Sequence, residues 1–256
     1  MEQTTLSGLN ALVGTWPPAP QRPTIVFIHG SGGSAVLWQH QVDALAGIAN
    51  TIAVDLPGHG QSPGPGLNTV AAYTGRIADL VTALGPAKVV CCGLSLGGAI
   101  AQQLLLDHGH LFAGGILCGT GARLKVMPSI FDMIQNDYPA FVKSLDQVAI
   151  SRQTDPARVL PLVQATAACP AAVTAGDFQA CNAFDVIGRL DQINVPVLVV
   201  SGADDLLTPP KYADYLEKTI AGARRCHLEA AGHLAPMERP EPFNAAVAAF
   251  IQEQIA

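Results

Sequence analysis

The stretch Lys88-Val89-Val90-Cys91-Cys92-Gly93-Leu94-Ser95-Leu96-Gly97-Gly98 decides the fold. An apolar, strand-like run ends in Gly-x-Ser-x-Gly and passes at once into the helix-like run Ala99 to Leu106, so strand, sharp turn and helix follow within a few residues. Such a turn drives its central residue toward positive φ, and the positions two before and two after must be nearly free of side chain to avoid collision. Gly93 and Gly97 meet that demand. The turn lifts the Ser95 hydroxyl above the sheet edge and leaves the Leu96 N–H at a helix amino terminus, where unpaired donors and the helix dipole favour an anion. Ser95 is the candidate nucleophile. A Gly-rich turn holding an inert serine would read the same way, so the rest of the chain must supply the chemistry.

Outward from this turn, short apolar runs alternate with longer helical patterns. Strands are predicted at Thr24 to His29, Thr51 to Asp55, Ala87 to Cys92, Gly114 to Cys118, Val195 to Ser201 and Arg224 to Glu229. Helices are predicted at Val36 to Ile48, Val70 to Leu84, Leu96 to His108, Pro210 to Ile220 and Pro240 to Gln254. This alternation reads as an α/β protein, a mostly parallel sheet with helices on both faces. The rhythm breaks between residues 121 and 189, which hold no strand pattern but several helix-like pieces punctuated by Pro128, Pro139, Pro156, Pro161 and Pro170. We read 1–120 and 190–256 as one core and 121–189 as a helical lid inserted into it. The lid carries Phe131, Phe141, Phe178, Phe184, Met127 and Met133, which fit either a small core of its own or the wall of a substrate pocket. The first twenty residues, ending in Pro17-Pro18-Ala19-Pro20, read as an edge hairpin or an arm.

Composition narrows the function classes. Apolar residues make up 49% of the 256 residues and charged ones 13%, which fits a sizeable core and excludes a disordered or coiled-coil chain. The net charge of −6, with no basic run longer than Arg224-Arg225, argues against nucleic acid as a partner. No apolar stretch has the length of a membrane span, and no secretory pattern opens the chain. The six cysteines sit largely in apolar runs and are read as reduced thiols of a cytoplasmic protein. Paired CxxC and HExxH spacings are absent, so no metal site is expected.

A serine hydroxyl needs a general base, and the base needs a third group to hold its tautomer. Ala230-Ala231-Gly232-His233 follows the last predicted strand, which puts His233 on a loop at the sheet edge where Ser95 projects. Its ordinary pKa of about 6.5 suits a base at neutral pH. For the acid, Gly202-Ala203-Asp204-Asp205 lies on the loop after a strong strand, where open α/β sheets bind ligands. Either carboxylate is within the pattern. A second Gly-rich turn, His29-Gly30-Ser31-Gly32-Gly33, follows a strand and lets backbone approach a ligand. No Lys follows it as a phosphate loop requires. We assign the backbone N–H groups of Ser31 and Leu96 to an oxyanion hole, and His29 to bracing that turn.

These segments, with Trp38, Asp55-Leu56-Pro57-Gly58-His59-Gly60-Gln61-Ser62 and Gly202 to Pro209, resemble the α/β-hydrolase superfamily from about Pro23 onward. The resemblance is to its lidded branch of esterases, lactonases, carbon–carbon bond hydrolases, cofactor-free haloperoxidases and dehalogenases. It implies an α/β-hydrolase fold. It also selects Asp205 as the acid, three residues after the glycine and four before the proline. The candidate substrate contacts are Trp38, Met127, Phe131 and Leu234. Dehalogenases and epoxide hydrolases carry aspartate at the centre of the turn, unlike Ser95. Carbon–carbon hydrolases usually show Asn before the nucleophile and Trp after the histidine, where this chain has Leu94 and Leu234. The expectation is a cofactor-free serine carboxylesterase acting on a small-molecule acyl ester or lactone. Thioesterases, acyltransferases and carbon–carbon hydrolases with the same triad, and a non-catalytic receptor on this fold, are the rivals.

Overall fold

The computed structural model describes residues 1–85 and 88–255. Among these, strands β1 (Glu2–Leu6), β2 (Leu9–Val13), β3 (Thr24–Ile28), β4 (Asn50–Val54), β5 (Val89–Leu94), β6 (Gly114–Cys118), β7 (Val197–Gly202) and β8 (Arg224–Leu228) form one sheet in the order β1-β2-β4-β3-β5-β6-β7-β8. The six strands from β4 to β8 are parallel, and the β1–β2 hairpin closes one edge antiparallel. The predicted strand residue Ala87 lies outside the described residues. Strand β7 starts at Val197 rather than Val195 because Pro196 has no N–H to give a ladder; its carbonyl accepts from Gly115 instead (3.0 Å).

Central strands buried on both faces carry mainly apolar residues, and β3 to β7 are buried at every position with Thr24, Asn50, Thr51 and Ser201 as polar exceptions. Alternation by two assigns each side chain to a layer. Val26, Ile28, Val89, Cys91, Val197 and Val199 pack under α2 (Val70–Leu84), α3 (Leu96–Asp107) and α8 (Pro210–Thr219). Ile25, Phe27, Val90, Cys92, Leu198 and Val200 face α1 (Gln39–Ala44) and α10 (Pro240–Gln254). The predicted helix at Val36 to Ile48 is instead a 3₁₀ turn, Ala35–Trp38, capped by Ser34, followed by the short α1. Trp38 lies off helical geometry between them (φ −102°, ψ 9°), because its indole turns inward onto Phe27 and Phe243.

Between β6 and β7 the chain leaves the sheet for α4 (Pro128–Asn136), α5 (Tyr138–Val148), α6 (Leu160–Ala168) and α7 (Ala171–Ala183). Arg123 and Asp185 bridge the two ends of this excursion. Ile134, Phe141 and Val142 form a small cluster with Met133 and Phe178, whereas Ala180, Cys181 and Phe184 at the far end of α7 join the layer under α2 and α3. Helix α7 therefore packs into both cores. The short helix α9 (Ala235–Glu238) precedes α10 and was not foreseen by the periodicity.

The strand order reverses beside β3: the chain steps from β3 to β4 on one side and then to β5 on the other. The loops after β3 and β5 diverge there, and the crevice between them is where open α/β sheets bind ligands. The turn after β5 is closely packed against β3. A methyl on Gly97 would lie 2.1 Å from the Ile28 carbonyl oxygen and 2.7 Å from that of His29, and one on Gly93 would lie 2.0 Å from the Gly97 carbonyl oxygen. These obstacles are main-chain atoms of β3, the loop after it and the first turn of α3, and cannot step aside. Gly97→Ala is expected to cost about 3 kcal/mol or more, or to prevent folding. The urea midpoint measures this, and a midpoint equal to wild type contradicts the packing.

Candidate active site

Ser95 sits on the turn between β5 and α3 with φ 57° and ψ −114°, a conformation that a residue bearing a Cβ avoids. Its backbone is pinned on three sides: Ser95 N–H donates to Cys118 O (3.0 Å), Thr120 Oγ1–H donates to Ser95 O (3.0 Å), and Ala99 N–H donates to the same carbonyl (3.0 Å). The end of β6 thus holds the turn, and Ser95 stays half-buried with its hydroxyl outside any protein hydrogen bond among the described residues. Leu96 opens α3, so its N–H belongs to the first helical turn and has no acceptor inside the helix.

Asp205 and His233 meet directly. His233 Nδ1–H donates to Asp205 Oδ2 (2.9 Å), leaving Nε2 as the outward nitrogen. Asp205 also accepts from the N–H of Leu207 (2.9 Å), the N–H of Thr208 (2.8 Å) and the Thr208 hydroxyl (2.7 Å). Those bonds orient the carboxylate and satisfy its remaining lone pairs. The two loops touch along their backbones, since a methyl on Gly202 would lie 2.2 Å from the Gly232 carbonyl oxygen. Asp204 points elsewhere, accepting from the Ser151 hydroxyl rather than capping the next helix. Burial disfavours an imidazolium at His233, but the charge and hydrogen bond of Asp205, aided by Glu238, outweigh it and raise its pKa above 6.5. Burial likewise pushes the Asp205 carboxyl up, and the His233 charge and hydrogen bond with the Thr208 bonds bring it below its ordinary value.

The end of β6 also joins this pair to the turn. A methyl on Gly119 would stand 3.2 Å from His233 Nδ1 and 3.2 Å from Leu94 Cδ1. On the other flank, a methyl on Gly30 would stand 3.4 Å from Ser95 Cβ, so the loop after β3 runs beside the serine. The structure therefore brings Ser31, Ser95, Leu96, Asp205 and His233 to one end of the sheet. A direct Ser95–His233 hydrogen bond is not formed among the described residues. What the arrangement offers is an oriented imidazole, an alcohol on a strained turn, and backbone donors beside it.

The remaining expectations fare differently. Trp38 is fully buried between Phe27 and Phe243, and Leu234 is buried in the same layer, so both are core residues rather than pocket walls. Met127 is 69% exposed at the start of α4, and Phe131 is half-buried on that helix. His59 is fully buried and hydrogen-bonded to Asp177 on α7. His29 braces its own turn, donating from Nδ1 to Gly30 O (2.8 Å) while Nε2 accepts from Leu56 N–H (3.0 Å).

Two buried carboxylates escaped the sequence reading. Glu238 accepts from the N–H of Gly232 (2.9 Å), the N–H of Ser151 (2.8 Å) and the Thr154 hydroxyl (2.7 Å), bracing the loop that carries His233. Asp177 accepts from Gly32, His59 and Tyr73. Their signals were a lone acid in the apolar helix Ala171–Ala183 and an acid five residues after the candidate base. Among the described residues, no three His, Cys, Asp or Glu side chains gather as a metal site, and no helix is long and apolar enough to cross a membrane. The six cysteines form no disulfide.

Residues 25–246 match the model of the alpha/beta hydrolase family. The chain is 30% identical over 244 residues to a pimeloyl-[acyl-carrier protein] methyl ester esterase of Neisseria meningitidis serogroup B, covering 89% of this chain and 92% of that protein. It is 26% identical to the solved enol-lactonase of Burkholderia xenovorans LB400, with a TM-score of 0.88 over 98% of this chain and all of the other (100%). A bromoperoxidase from Bacillus anthracis, 18% identical, has the same fold, with a TM-score of 0.88 over 98% of this chain and 100% of the other. The strand order, the serine turn after β5 and this likeness along most of the sequence have one conclusion: the chain belongs to the alpha/beta hydrolase family.

Proposed function

We propose that the protein is a serine carboxylesterase that cleaves small or medium acyl esters or lactones through an acyl-enzyme. Ser95 Oγ attacks the carbonyl carbon as His233 Nε2 takes its proton. Asp205 holds the imidazole by Nδ1 and stabilises the imidazolium that forms. Negative charge growing on the carbonyl oxygen is met by the N–H groups of Ser31 and Leu96, each worth about 2.7 to 4 kcal/mol in a preorganised site. His233 returns its proton to the departing alcohol. Water, deprotonated by the same nitrogen, then attacks the acyl-enzyme, and Ser95 leaves with the proton. No cofactor enters these steps.

The observation that carries this reading is the 2.9 Å bond between Asp205 Oδ2 and His233 Nδ1, which leaves Nε2 as the only ring nitrogen free to accept a proton. Catalytic hydrogen bonds such as that between Ser95 and His233 are often long until substrate is bound. The similarity to a methyl ester esterase and an enol-lactonase favours ester and lactone carbonyls as substrates. In this reading residues 121–189 are the lid, with Met127 just before α4 and Phe131 on it as its substrate-facing apolar residues. Free thiols throughout fit a reducing compartment such as the cytoplasm.

Ser95→Ala is expected to lower kcat on a short p-nitrophenyl or methyl ester by about 10⁴ or more without loss of fold, by analogy with other triads. Near-normal turnover by the folded variant refutes the nucleophile. The pH profile gives a second test. Only neutral imidazole accepts the proton, so kcat/KM should rise with pH through a midpoint above 6.5, the side to which Asp205 displaces His233. Asp205→Asn removes the raising charge and leaves burial, which lowers the pKa. Its midpoint should fall below that of wild type while kcat drops by about 10⁴. A flat profile between about pH 5 and 9, or an unmoved midpoint in Asp205→Asn, refutes His233 as the base.

A further inference from the structure

Asp177 lies midway along α7 and is fully buried, yet no step of ester cleavage uses it. Three donors converge on its carboxylate. Gly32 N–H (2.7 Å) and His59 Nε2–H (2.8 Å) reach Oδ2, and the Tyr73 hydroxyl (2.6 Å) reaches Oδ1. The other nitrogen of His59, Nδ1, faces the Pro57 carbonyl oxygen (3.1 Å). With an acceptor on each side, the ring carries both protons and is a cation. Burial alone would strip that charge, but the hydrogen bond and charge of Asp177 hold the imidazolium, its pKa pushed up to about 10. His29, whose ring lies 4.8 Å from that of His59, is neutral because its Nε2 accepts from Leu56 N–H. Burial and the neighbouring cation push it down to about 3.

These contacts fix the loop after β3 one peptide plane at a time. The Gly30 carbonyl accepts from His29 Nδ1–H (2.8 Å) and from Gly33 N–H (3.1 Å), which sets the Gly30–Ser31 plane. That peptide is trans and planar, so the Ser31 N–H points opposite to the Gly30 carbonyl. The next plane, Ser31–Gly32, is set by Gly32 N–H on Asp177. Helices α6 and α7 close over Gly32 itself, where a methyl would meet Thr174 and Thr166 at 3.1 and 3.2 Å. Both torsions of Ser31 are thereby bracketed, upstream by a neutral histidine and downstream by a charged carboxylate.

We propose that Asp177 is a positioning residue for the oxyanion-binding N–H of Ser31: the Asp177 carboxylate, itself gripped by His59 and Tyr73, lets helix α7 hold the peptide plane after Ser31. The helical excursion between β6 and β7 then builds part of the oxyanion hole as well as covering the site. The inference rests on the reading of Ser31 as an oxyanion donor. A purely structural network would stabilise the fold without favouring the transition state over the substrate.

The test uses the full chain with Asp177→Asn. An asparagine offers one acceptor oxygen against three donors, so at least one donor meets an N–H instead. The expected result is a loss of about 10- to 10²-fold in kcat on a short ester with KM within about twofold, somewhat less than deletion of an oxyanion donor costs. The inhibition constant of a trifluoromethyl ketone, which presents an oxyanion once Ser95 has added, should rise by the same factor. That of the matching methyl ketone should stay put. The Ser31 amide cross-peak in a ¹H–¹⁵N spectrum should move. A folded variant with wild-type kcat, or with the two ketones weakened equally, overturns the proposal, as does an unmoved Ser31 amide. Where the single variant fails to fold, D177N/H59Q, in which neither partner is left as an unpaired charge, carries the same readouts. A wild-type protein that neither cleaves esters nor binds the trifluoromethyl ketone sinks the esterase reading instead, and the Ser31 amide still decides the positioning claim.

Discussion

The strained backbone of Ser95 is the constraint on which the site depends. A positive φ at a residue with a Cβ costs about 1–3 kcal/mol and survives only where its surroundings permit nothing else. Here β3 crowds the turn from one side through Gly97, and the end of β6 grips it from the other through Cys118 and Thr120. The same β6 end reaches His233 through Gly119. One short segment after a central strand therefore sets the serine turn and the histidine relative to each other. The parallel sheet supplies rigidity, and the reversal of strand order beside β3 supplies the opening into which both loops lean.

Two buried carboxylates extend this logic beyond the sheet. Glu238 ties the His233 loop to Ser151 and Thr154, and Asp177 ties the loop after β3 to α7. Each joins the 121–189 segment to a loop of the core. They differ in how the buried charge is tolerated. Asp177 faces a full cation in His59, whereas Glu238 is held by neutral donors at close range, and its charge favours the protonated form of His233. A residue that leaves either carboxylate without donors would expose an uncompensated charge to the interior, which is why such groups come with dense sets of partners.

Local chemistry was legible in the sequence and remote convergence was not. The turn at Ser95 could be read because Gly93 and Gly97 act within five residues, and the candidate base His233 because it follows a strand with Gly232 beside it, whereas the choice of Asp205 over Asp204 came from the family resemblance. The helix boundaries at Val70–Leu84 and Pro240–Gln254 came directly from apolar periodicity. Asp177 stayed hidden because its partners Gly32, His59 and Tyr73 stand 145, 118 and 104 residues away, and nothing in an apolar helix announces where its one acid will point. Trp38 was misread for the converse reason. Its neighbours in sequence form a turn near the candidate site, but its ring is directed by Phe27 and Phe243, which only folding brings beside it.

The most direct measurement is reaction of the wild-type protein with a fluorophosphonate, followed by mass mapping of the modified peptide. A hydroxyl made nucleophilic by the His233–Asp205 pair should take up one phosphonyl group per chain, on the peptide containing Ser95, and should do so far faster than free serine. Absence of modification in the folded protein, or its appearance on a different residue, contradicts Ser95 as the nucleophile and with it the esterase mechanism.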